Sequence, residues 1–246
     1  MALCDFSLKD KTILVTGASS GLGARTAIEC SKAGAHVIAL GRNQERLNST
    51  LSIMEGAENR VCSIDLCDSN ALSSLCDDLP VLDGISLCAG ITKSIPAKNV
   101  KEEDVRSMFE TNIISSILFI KALLKTKKIA KGASIVFISS IATSYAAMGN
   151  SVYAATKGAV NSYAKVLALE LAPRGIRVNV IQPGIIPTNM LSDSFSKEQF
   201  DAEASKYPLG FGEPVDIANG MIFLLSNASK WMTGSIINID GGVTLL

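Results

Sequence analysis

Histidine and aromatic residues are scarce in this sequence, which has one His, one Trp and 5% aromatic residues in a chain of 246. The single histidine, His36, lies inside the apolar run 35–40, where a structural role is expected. Catalysis that needs a histidine base, as in Ser-His-Asp or Cys-His arrangements, therefore has no good candidate. Zinc sites built from several histidines are excluded as well, and we predict no metal site.

Net charge is also missing, because 23 Lys and Arg residues balance 23 Asp and Glu residues. Such a chain has no overall field that would attract nucleic acid or an anionic membrane. No uninterrupted apolar stretch approaches the roughly 20 residues of a membrane span, and the start lacks the charge order of a signal peptide. We therefore expect a cytoplasmic protein that acts on a small molecule, with no nucleic-acid partner and no membrane.

Paired cysteine motifs are absent too. The six cysteines include no C-x-x-C pair, and a chain of this length does not need a disulfide framework. We expect reduced thiols, most of them small apolar side chains in the core.

Apolar residues, in contrast, are abundant: they make up 48% of the chain against 19% charged residues, enough for a large core. Short apolar runs alternate with segments of helical period, which is typical of parallel strands covered by helices on both faces. The candidate strands are 12–16, 37–40, 61–64, 85–88, 134–138, 178–181 and 236–239.

This alternation continues without a linker or a repeat, so we predict an α/β fold with one doubly wound Rossmann-type domain over residues 1–246. The domain is expected to contain a seven-stranded parallel sheet with helices on both faces. Segment 185–214 breaks the alternation and is predicted to be a substrate loop or lid at one end of the sheet.

A glycine-rich turn with the spacing G-x-x-x-G-x-G follows the first strand and leads into a helical segment. Glycines let the backbone turn tightly and approach a pyrophosphate, whose charge the N-terminus of the helix stabilises. A purely structural turn is the alternative. The predicted dinucleotide contacts are Gly17, Ser19, Gly21, Leu22 and Gly23.

The cofactor type is indicated by the end of the second strand. An NAD-binding fold usually has an acidic residue there for the ribose 2′-hydroxyl, but this chain has Arg42. A guanidinium can pair with a 2′-phosphate, so NADP(H) is favoured and NAD(H) stays possible. Asp65 and Leu66, after the third strand, are expected at the adenine, although Asp65 is also a plausible helix-capping or surface residue.

Tyr153 and Lys157 lie four residues apart in a helical segment, which places the phenol and the ammonium on one face. A nearby cation favours the phenolate, so we expect Lys157 to lower the pKa of Tyr153 from about 10. The pair is then a proton donor for neutral pH. The spacing alone is common in helices and needs support from other motifs.

Several motifs together resemble the short-chain dehydrogenase/reductase family over nearly the whole chain: the glycine turn, Asn112, the pair Ser139-Ser140, Tyr153 with Lys157, segment 179–184 and the ending 240–242. Ser140 and Asn112 precede Tyr153 by 13 and 41 residues, as in the catalytic tetrad of that family.

The resemblance implies that Tyr153 is the general acid/base and that Ser140 binds the substrate oxygen, with Ser139 as the alternative serine. It also implies that Lys157 holds the nicotinamide ribose and lowers the tyrosine pKa, while Asn112 holds a water in a proton relay. Further cofactor contacts implied by the resemblance are Ala89, Gly90, Pro183, Gly184, Ile186 and Thr188. The family's usual Asn-Asn before Ala89 is replaced here by Leu87-Cys88, so the hydrogen bonds of those amides must be replaced or absent.

By this resemblance the chain is an NADP(H)-dependent oxidoreductase that interconverts carbonyl compounds and secondary alcohols, with 3-oxoacyl thioesters as one expected substrate. A sugar, polyol or steroid dehydrogenase using NAD(H) is the alternative, followed by a non-catalytic NADP-binding sensor. Enoyl reductases of the family usually space the tyrosine and lysine further apart. An acyl-carrier partner would need basic residues near the active-site mouth, although a solvated helix end also explains the candidates, which are Lys125, Lys127, Lys128, Lys131 and Arg174.

Members of the family are usually tetramers, and two features of this chain favour a homotetramer. Apolar residues surround most of the segment before Lys121 and extend the next helix beyond one stripe, which a single core face does not need. The uncharged ending 243–246 would fray in a monomer. The residues behind the first feature are Ile113, Ile114, Ile117, Leu118, Ile120, Tyr163, Val166 and Leu169.

Overall fold

The structure, a computed structural model, describes residues 6–187 and 197–245. Within these residues, seven strands form one sheet in which every neighbouring pair is parallel, in the order β3-β2-β1-β4-β5-β6-β7. The predicted seven-stranded parallel sheet is therefore confirmed. The strands are β1 (Thr12–Thr16), β2 (His36–Gly41), β3 (Arg60–Ser63), β4 (Leu82–Leu87), β5 (Ile129–Ile138), β6 (Arg177–Pro183) and β7 (Ile236–Ile239).

Helices connect the strands, and residues that favour helix starts define where two of them begin. The side chain of Asn43 accepts a hydrogen bond from the Arg46 N–H, and Asp68 accepts from Asn70 and Ala71, so each caps its helix. The helices are α1 (Gly21–Lys32), α2 (Gln44–Leu51), α3 (Ser69–Asp78), α4 (Glu102–Phe109), α5 (Ser115–Lys125), α6 (Ser151–Leu171), α7 (Lys197–Ala204) and α8 (Pro214–Leu225).

Apolar side chains form two large buried clusters, one on each face of the sheet. Cys30 of α1 and Met221 of α8 belong to the first cluster. Leu123 of α5, with Val160 and Leu167 of α6, belongs to the second. The sheet is thus covered on both faces, as the uninterrupted apolar strands predict, and the chain forms the single Rossmann-type domain expected from its sequence.

The strand order reverses beside β1, because β2 and β3 lie on one side of it and β4 to β7 on the other. Connections that leave β1 and β4 therefore diverge and open a crevice at the carboxyl ends of the strands. This topology positions the candidate site.

One helical segment, Glu102–Lys125, is long and apolar enough to cross a membrane by length and composition alone. It consists of α4, a π-helical stretch at Glu110–Ile114 and α5. Met108, Phe119 and Leu123 are completely buried, and the latter two belong to the core cluster on this face of the sheet. We therefore interpret the segment as a core helix of the domain.

The expected basic patch lies at the wrong end of the sheet for a partner that docks at the site. Lys128 Nζ donates hydrogen bonds to the carbonyl oxygens of Asp77 and Leu79, and Arg174 donates to the Ile129 carbonyl. These contacts lie where β4 and β5 begin, whereas the crevice lies where the strands end. The prediction that this patch borders the active-site mouth is wrong, because the lysines precede or begin β5 and therefore lie at the amino end of the parallel sheet.

The apolar residues on which the homotetramer prediction depends are only partly exposed. Val166 and Leu169 on α6 are 58% and 77% exposed, whereas Ile113 and Ile120 are buried in the core of the same chain. The C-terminal argument fails in part, because Val243 is buried against Ile141 and Tyr207. The homotetramer stays a prediction that rests on the exposed residues of the long helices.

Candidate active site

The crevice is a cleft of about 990 Å³ that runs along the carboxyl ends of the strands. Two predicted site residues are not among those that line it: Asn112 is buried behind the wall, and Thr188 lies outside the described residues. The predicted residues that line it are Gly17, Ser19, Gly21, Leu22, Gly23, Arg42, Asp65, Leu66, Ala89, Gly90, Ser140, Tyr153, Lys157, Pro183, Gly184 and Ile186.

The glycine turn needs its glycines for steric reasons. Gly17 has a φ of +67°, and a Cβ atom there would lie 2.9 Å from the Ala89 Cα atom. A Cβ atom on Gly23 would clash with the Gly17 carbonyl group. The turn between β1 and α1 can therefore pack this closely against the chain after β4 only with glycine at both positions.

The N-terminus of α1 faces the cleft with free backbone donors. Ser20 precedes the helix but makes no side-chain cap, and the first turn contains no acidic residue. Ser20, Gly21, Leu22 and Gly23 all line the cleft. The unsatisfied N–H groups and the helix dipole together form a site that suits a pyrophosphate.

Two arginines, not one, lie at the end of the cleft beside β2. Arg42 follows the strand, and Arg46 occupies the first turn of α2; both side chains are exposed and both residues line the cleft. Sequence reasoning missed Arg46, although its four-residue spacing from Arg42 was visible. The pair doubles the positive charge available to a phosphate group.

Asp65 was expected either at the adenine or as a capping or surface residue, and the structure agrees with parts of both interpretations. Its Oδ1 atom accepts a hydrogen bond from the Cys67 N–H at 3.0 Å, as a turn-capping residue does. The residue also lines the cleft and is exposed. The Cys67 thiol also hydrogen-bonds to this carboxylate, so Asp65 stabilises its own turn at the edge of the cleft.

Thr16 compensates for the missing asparagines after β4. Its hydroxyl oxygen accepts hydrogen bonds from the N–H groups of Cys88 at 3.0 Å and Ala89 at 3.1 Å. The Cys88 thiol pairs with the Ser86 hydroxyl at 3.2 Å. The turn is thus held through its own backbone by a completely buried threonine, and the side-chain amides are not needed for its shape.

Asn112 fastens the chain after β4 to α6. Its Oδ1 atom accepts from the Ile91 N–H at 2.7 Å, while Nδ2 donates to the Ile91 carbonyl at 2.9 Å and to the Thr156 hydroxyl at 3.0 Å. The residue lies in the π-helical stretch, a local distortion often found at functional sites. Its side chain positions the segment next to Lys157, and the water relay stays a prediction.

The structure distinguishes the two adjacent serines. Ser139 is buried, and its hydroxyl donates to the Lys157 carbonyl at 3.1 Å. Ser140 caps the short turn Ile141–Thr143 by accepting from the Ala142 N–H, and its hydroxyl hydrogen-bonds to Tyr153. Ser140 is therefore the serine that meets the phenol, as the spacing of 13 residues indicates.

Lys157 is a buried cation, only 3% exposed, at the floor of the cleft. Its Nζ atom donates to the Ile138 carbonyl at 2.9 Å and lies 5.7 Å from the centroid of the Tyr153 ring. Burial lowers the pKa of Lys157 from 10.5 to about 8, opposed by the nearby Cys88. The ammonium is thus held between the end of β5 and the phenol.

The expected lowering of the Tyr153 pKa by Lys157 is not found. Burial raises the pKa of the phenol, and the hydrogen bond with Ser140 opposes that increase. The physical reason is that removal of the phenol from water disfavours the phenolate more than its neighbours stabilise it. Tyr153 therefore carries its proton at neutral pH.

Beyond Ser140 and Tyr153, the cleft continues into a region of which the sequence indicated only segment 185–214. Its polar lining residues come from the loop after β4, the loop before α6, and segment 185–214. Tyr207 anchors this segment, since its hydroxyl accepts from the Ile185 N–H at 3.2 Å. The polar residues of this region are Thr92, Ser94, Tyr145, Asn150, Glu203 and Tyr207.

Known proteins resemble this chain over nearly its full length. A family model described as "Enoyl-(Acyl carrier protein) reductase" matches residues 17–244. The 3-oxoacyl-[acyl-carrier-protein] reductase FabG of Rickettsia felis is 34% identical over 241 residues, covering 97% of this chain and 99% of that protein. A short-chain type dehydrogenase/reductase from Mycobacterium ulcerans superposes with a TM-score of 0.90 at 33% identity, covering 97% of this chain and 91% of that one.

The chain belongs to the short-chain dehydrogenase/reductase family. Its relatives include sugar reductases: the L-xylulose reductase of Mesocricetus auratus is 34% identical over 242 residues, covering 97% of this chain and 98% of that protein. This short-chain dehydrogenase/reductase is accordingly an oxidoreductase that acts on CH–OH or C=O groups.

The buried Lys157 of this short-chain dehydrogenase/reductase predicts a specific pH dependence of stability. Between its folded pKa of about 8 and its ordinary value of 10.5, the unfolded chain binds more protons, so stability rises with pH. Relative to Lys157→Met, the wild-type free energy of unfolding should increase by about 2 kcal/mol from pH 8 to pH 10. Urea titrations across this pH range measure the difference.

The control is Lys165→Met, which removes an exposed ammonium from the same helix and should leave the pH dependence of wild-type stability unchanged. A constant difference between wild type and Lys157→Met across this range would contradict the lowered pKa.

Proposed function

We propose that this short-chain dehydrogenase/reductase is an NADP(H)-dependent reductase of carbonyl compounds and, in reverse, a secondary-alcohol dehydrogenase. The observation that carries the proposal is the arrangement of one cleft. Arg42 and Arg46 lie at one end, and Ser140, Tyr153 and Lys157 lie further along it. A cytoplasmic location stays a prediction alongside it.

The described residues fit such a cofactor. Gly17 and Gly23 let the turn pack closely on itself and on the chain after β4, and the uncapped N-terminus of α1 at this turn suits the pyrophosphate. Arg42 and Arg46 suit a 2′-phosphate, and the position directly after β2, where an acidic residue would receive a ribose 2′-hydroxyl, is occupied by Arg42. A solved structure of a proposed 2-deoxy-d-gluconate 3-dehydrogenase from Agrobacterium tumefaciens, 30% identical to this chain, contains bound NADP, which supports the same assignment.

At the nicotinamide end, the proposed contacts extend the set. Ala89 and Gly90 would present backbone to the ribose, and Lys157 would bind the ribose hydroxyls. Pro183, Gly184 and Ile186 would orient the carboxamide; Thr188, predicted for the same role, lies outside the described residues. NADPH, when bound, supplies the hydride for the reaction.

The protein's own part is to move a proton. Tyr153, which burial keeps protonated, donates its proton to the substrate carbonyl oxygen as that oxygen gains negative charge. The Ser140 hydroxyl donates a hydrogen bond to the same oxygen, and the Lys157 ammonium stabilises the phenolate that remains. The hydrogen bonds of Asn112 with Ile91 and Thr156 hold the chain after β4 in a fixed position relative to Lys157.

The arrangement of Ser140, Tyr153 and Lys157 favours a carbonyl reductase over the two alternatives, a non-catalytic sensor and an enoyl reductase. A non-catalytic NADP-binding sensor does not need Ser140 and Tyr153 grouped in the cleft with a buried Lys157. The four-residue spacing of Tyr153 and Lys157 favours carbonyl reduction over enoyl reduction, in spite of the description of the matching family model.

A 3-oxoacyl thioester is the second candidate substrate. It is favoured by the similarity to the FabG protein of Rickettsia felis, whereas similarity to the L-xylulose reductase favours a sugar. The basic residues proposed for an acyl-carrier partner lie at the far end of the sheet, which weakens the thioester candidate. We propose that segment 185–214 covers whichever substrate binds, because Ile185, Ile186, Glu203 and Tyr207 line the cleft.

Cofactor selectivity tests one end of the cleft. NADP+ should bind more tightly than NAD+, and Arg42→Ala should weaken NADP+ binding alone, by roughly 1.5 to 3 kcal/mol, because a charged hydrogen bond is lost. The double variant with Arg46→Ala should lose more. Calorimetric titration with each cofactor measures both effects.

The control is Arg60→Ala, since Arg60 is exposed at the start of β3, away from the cleft. Equal wild-type affinity for the two cofactors would overturn the NADP(H) assignment.

Turnover of Tyr153→Phe tests the other end. The ring should still pack and NADPH should still bind, but the rate should fall by about 10² to 10⁴, the usual contribution of general acid catalysis. Tyr163→Phe on the same helix removes a phenol that packs edge-on against Phe137, and it should keep near-normal turnover. Near-normal turnover of Tyr153→Phe would reject its role as the acid.

A further inference from the structure

The substrate end of the cleft contains polar side chains with no hydrogen-bond partner among the residues that the structure describes. Thr92 and Ser94 follow β4, and Tyr145 and Asn150 precede α6. Their side-chain oxygen and nitrogen atoms make no hydrogen bond to any residue that the structure describes. All four are therefore available to a ligand, and they belong to the same cleft as Ser140 and Tyr153.

These groups come from two loops that are fixed against each other. The Ile95 N–H donates to the Gly149 carbonyl at 2.9 Å, and a Cβ atom on Gly149 would lie 2.5 Å from the Ser94 hydroxyl. The close packing of the loops holds their polar side chains around one opening. A substrate there meets several donors and acceptors at once.

The charge at this end is negative or balanced. Glu203 on α7 lines the cleft and pairs with Lys206 at 2.6 Å, and the nearby Lys93 pairs with Asp104 at 2.8 Å. Among the described residues that line the cleft, the cationic ones are Arg42, Arg46 and Lys157. The arginines lie at the cofactor end and Lys157 lies beneath the phenol, so no described cation lining the cleft remains for a phosphate or carboxylate of the substrate.

We propose that the substrate is an uncharged, short polyhydroxylated ketone, which the enzyme interconverts with the corresponding polyol. This inference rests on the proposed function. Hydroxyl groups of such a substrate replace the water around Thr92, Ser94, Tyr145 and Asn150 with new hydrogen bonds. Apolar residues of the same end of the cleft, among them Ile91, Met148 and Ile185, also line it and would contact the carbon chain of either a ketose or an acyl thioester. An acyl chain would still displace the water from the four polar side chains without replacing its hydrogen bonds, which disfavours binding of an apolar ligand.

The reaction balances with the groups already named. The carbonyl carbon gains a C–H bond from the hydride of NADPH, which is oxidised to NADP+, while the C=O π pair takes the proton of Tyr153. The ketone is reduced to a secondary alcohol, and solvent returns a proton to the phenolate.

Steady-state rates with four probes test the substrate class. The probes are a five-carbon ketose, its phosphate ester, acetoacetyl coenzyme A as a 3-oxoacyl thioester, and 2,3-butanedione as a small ketone without hydroxyl groups. With NADPH, kcat/KM for the ketose should exceed that for the phosphate ester and for the thioester by about tenfold or more. The thioester lacks the hydroxyl groups, whose hydrogen bonds are each worth up to about that factor, and the phosphate ester carries a charge that meets no described cation at this end of the cleft.

Substitutions at the substrate end test whether its side chains determine the preference for the ketose. Asn150→Leu and Tyr145→Phe should each lower the ratio of kcat/KM for ketose over butanedione about tenfold, mainly through KM of the ketose. Glu203→Gln should raise kcat/KM for the phosphate ester relative to the ketose, because a repelling carboxylate is removed. Tyr145→Phe is the milder change and remains informative if Asn150→Leu does not fold.

Two controls match these variants. Glu198→Gln lies on the same helix as Glu203 with an exposed side chain, and Ser144→Ala adjoins Tyr145 without lining the cleft. Both should leave all four rates at wild-type values.

The outcomes distinguish a failure of the proposed substrate class from a failure of the proposed function. Tyr153-dependent reduction of butanedione without preference for the ketose, or with preference for the thioester or the phosphate ester, overturns the substrate class and leaves the proposed function intact. Unchanged ratios in both Asn150→Leu and Tyr145→Phe also overturn it. Reduction of none of the four probes with either cofactor overturns the proposed function and this inference together.

Discussion

The burial of one ammonium group, that of Lys157, is the constraint on which the rest of the site depends. Removal of a cation from water costs several kcal/mol unless the protein supplies partners. The Ile138 carbonyl at the end of β5 supplies one, and the surrounding residues fix the helix that carries the lysine. Ser139 binds the Lys157 carbonyl, and Thr156 connects the same turn to Asn112. The ammonium group beside Tyr153 is therefore positioned by two other parts of the chain, the end of β5 and the π-helical stretch that contains Asn112.

The same constraint joins the two ends of the cleft. Asn112 holds Ile91, the chain before Ile91 packs on Gly17, and Gly17 begins the turn that leads into α1. Thr16 fixes that chain from the other side. A shift of the glycine turn would consequently move the backbone that lies against Lys157. The position suited to a pyrophosphate and the position suited to proton transfer are thus parts of one packed unit.

Sequence patterns predicted the sheet well and the surroundings of the site less well. Strands 12–16 and 236–239 agree with the structure, whereas β5 begins five residues before the predicted 134, because Lys131 and Gly132 interrupt the apolar pattern but not the strand. Arg46 was missed because its relation to the cleft depends on where α2 begins. The lysine patch was misplaced, although its position before strand 134–138 already indicates the amino end of the sheet. The Tyr153 pKa was predicted in the wrong direction because it depends on burial, which the sequence does not show. The polar residues of the substrate end share no sequence motif and meet only through loop packing.

The most direct test of the central claim, that the two ends belong to one working site, is a crystal structure of the enzyme with NADP+ and a bound ketose. The account predicts the 2′-phosphate between Arg42 and Arg46, with nitrogen to oxygen distances of about 2.7 to 2.9 Å. It also predicts the substrate carbonyl oxygen within hydrogen-bond distance of both Ser140 and Tyr153. A 2′-phosphate directed away from the two arginines, or a carbonyl oxygen that contacts neither hydroxyl, would contradict it.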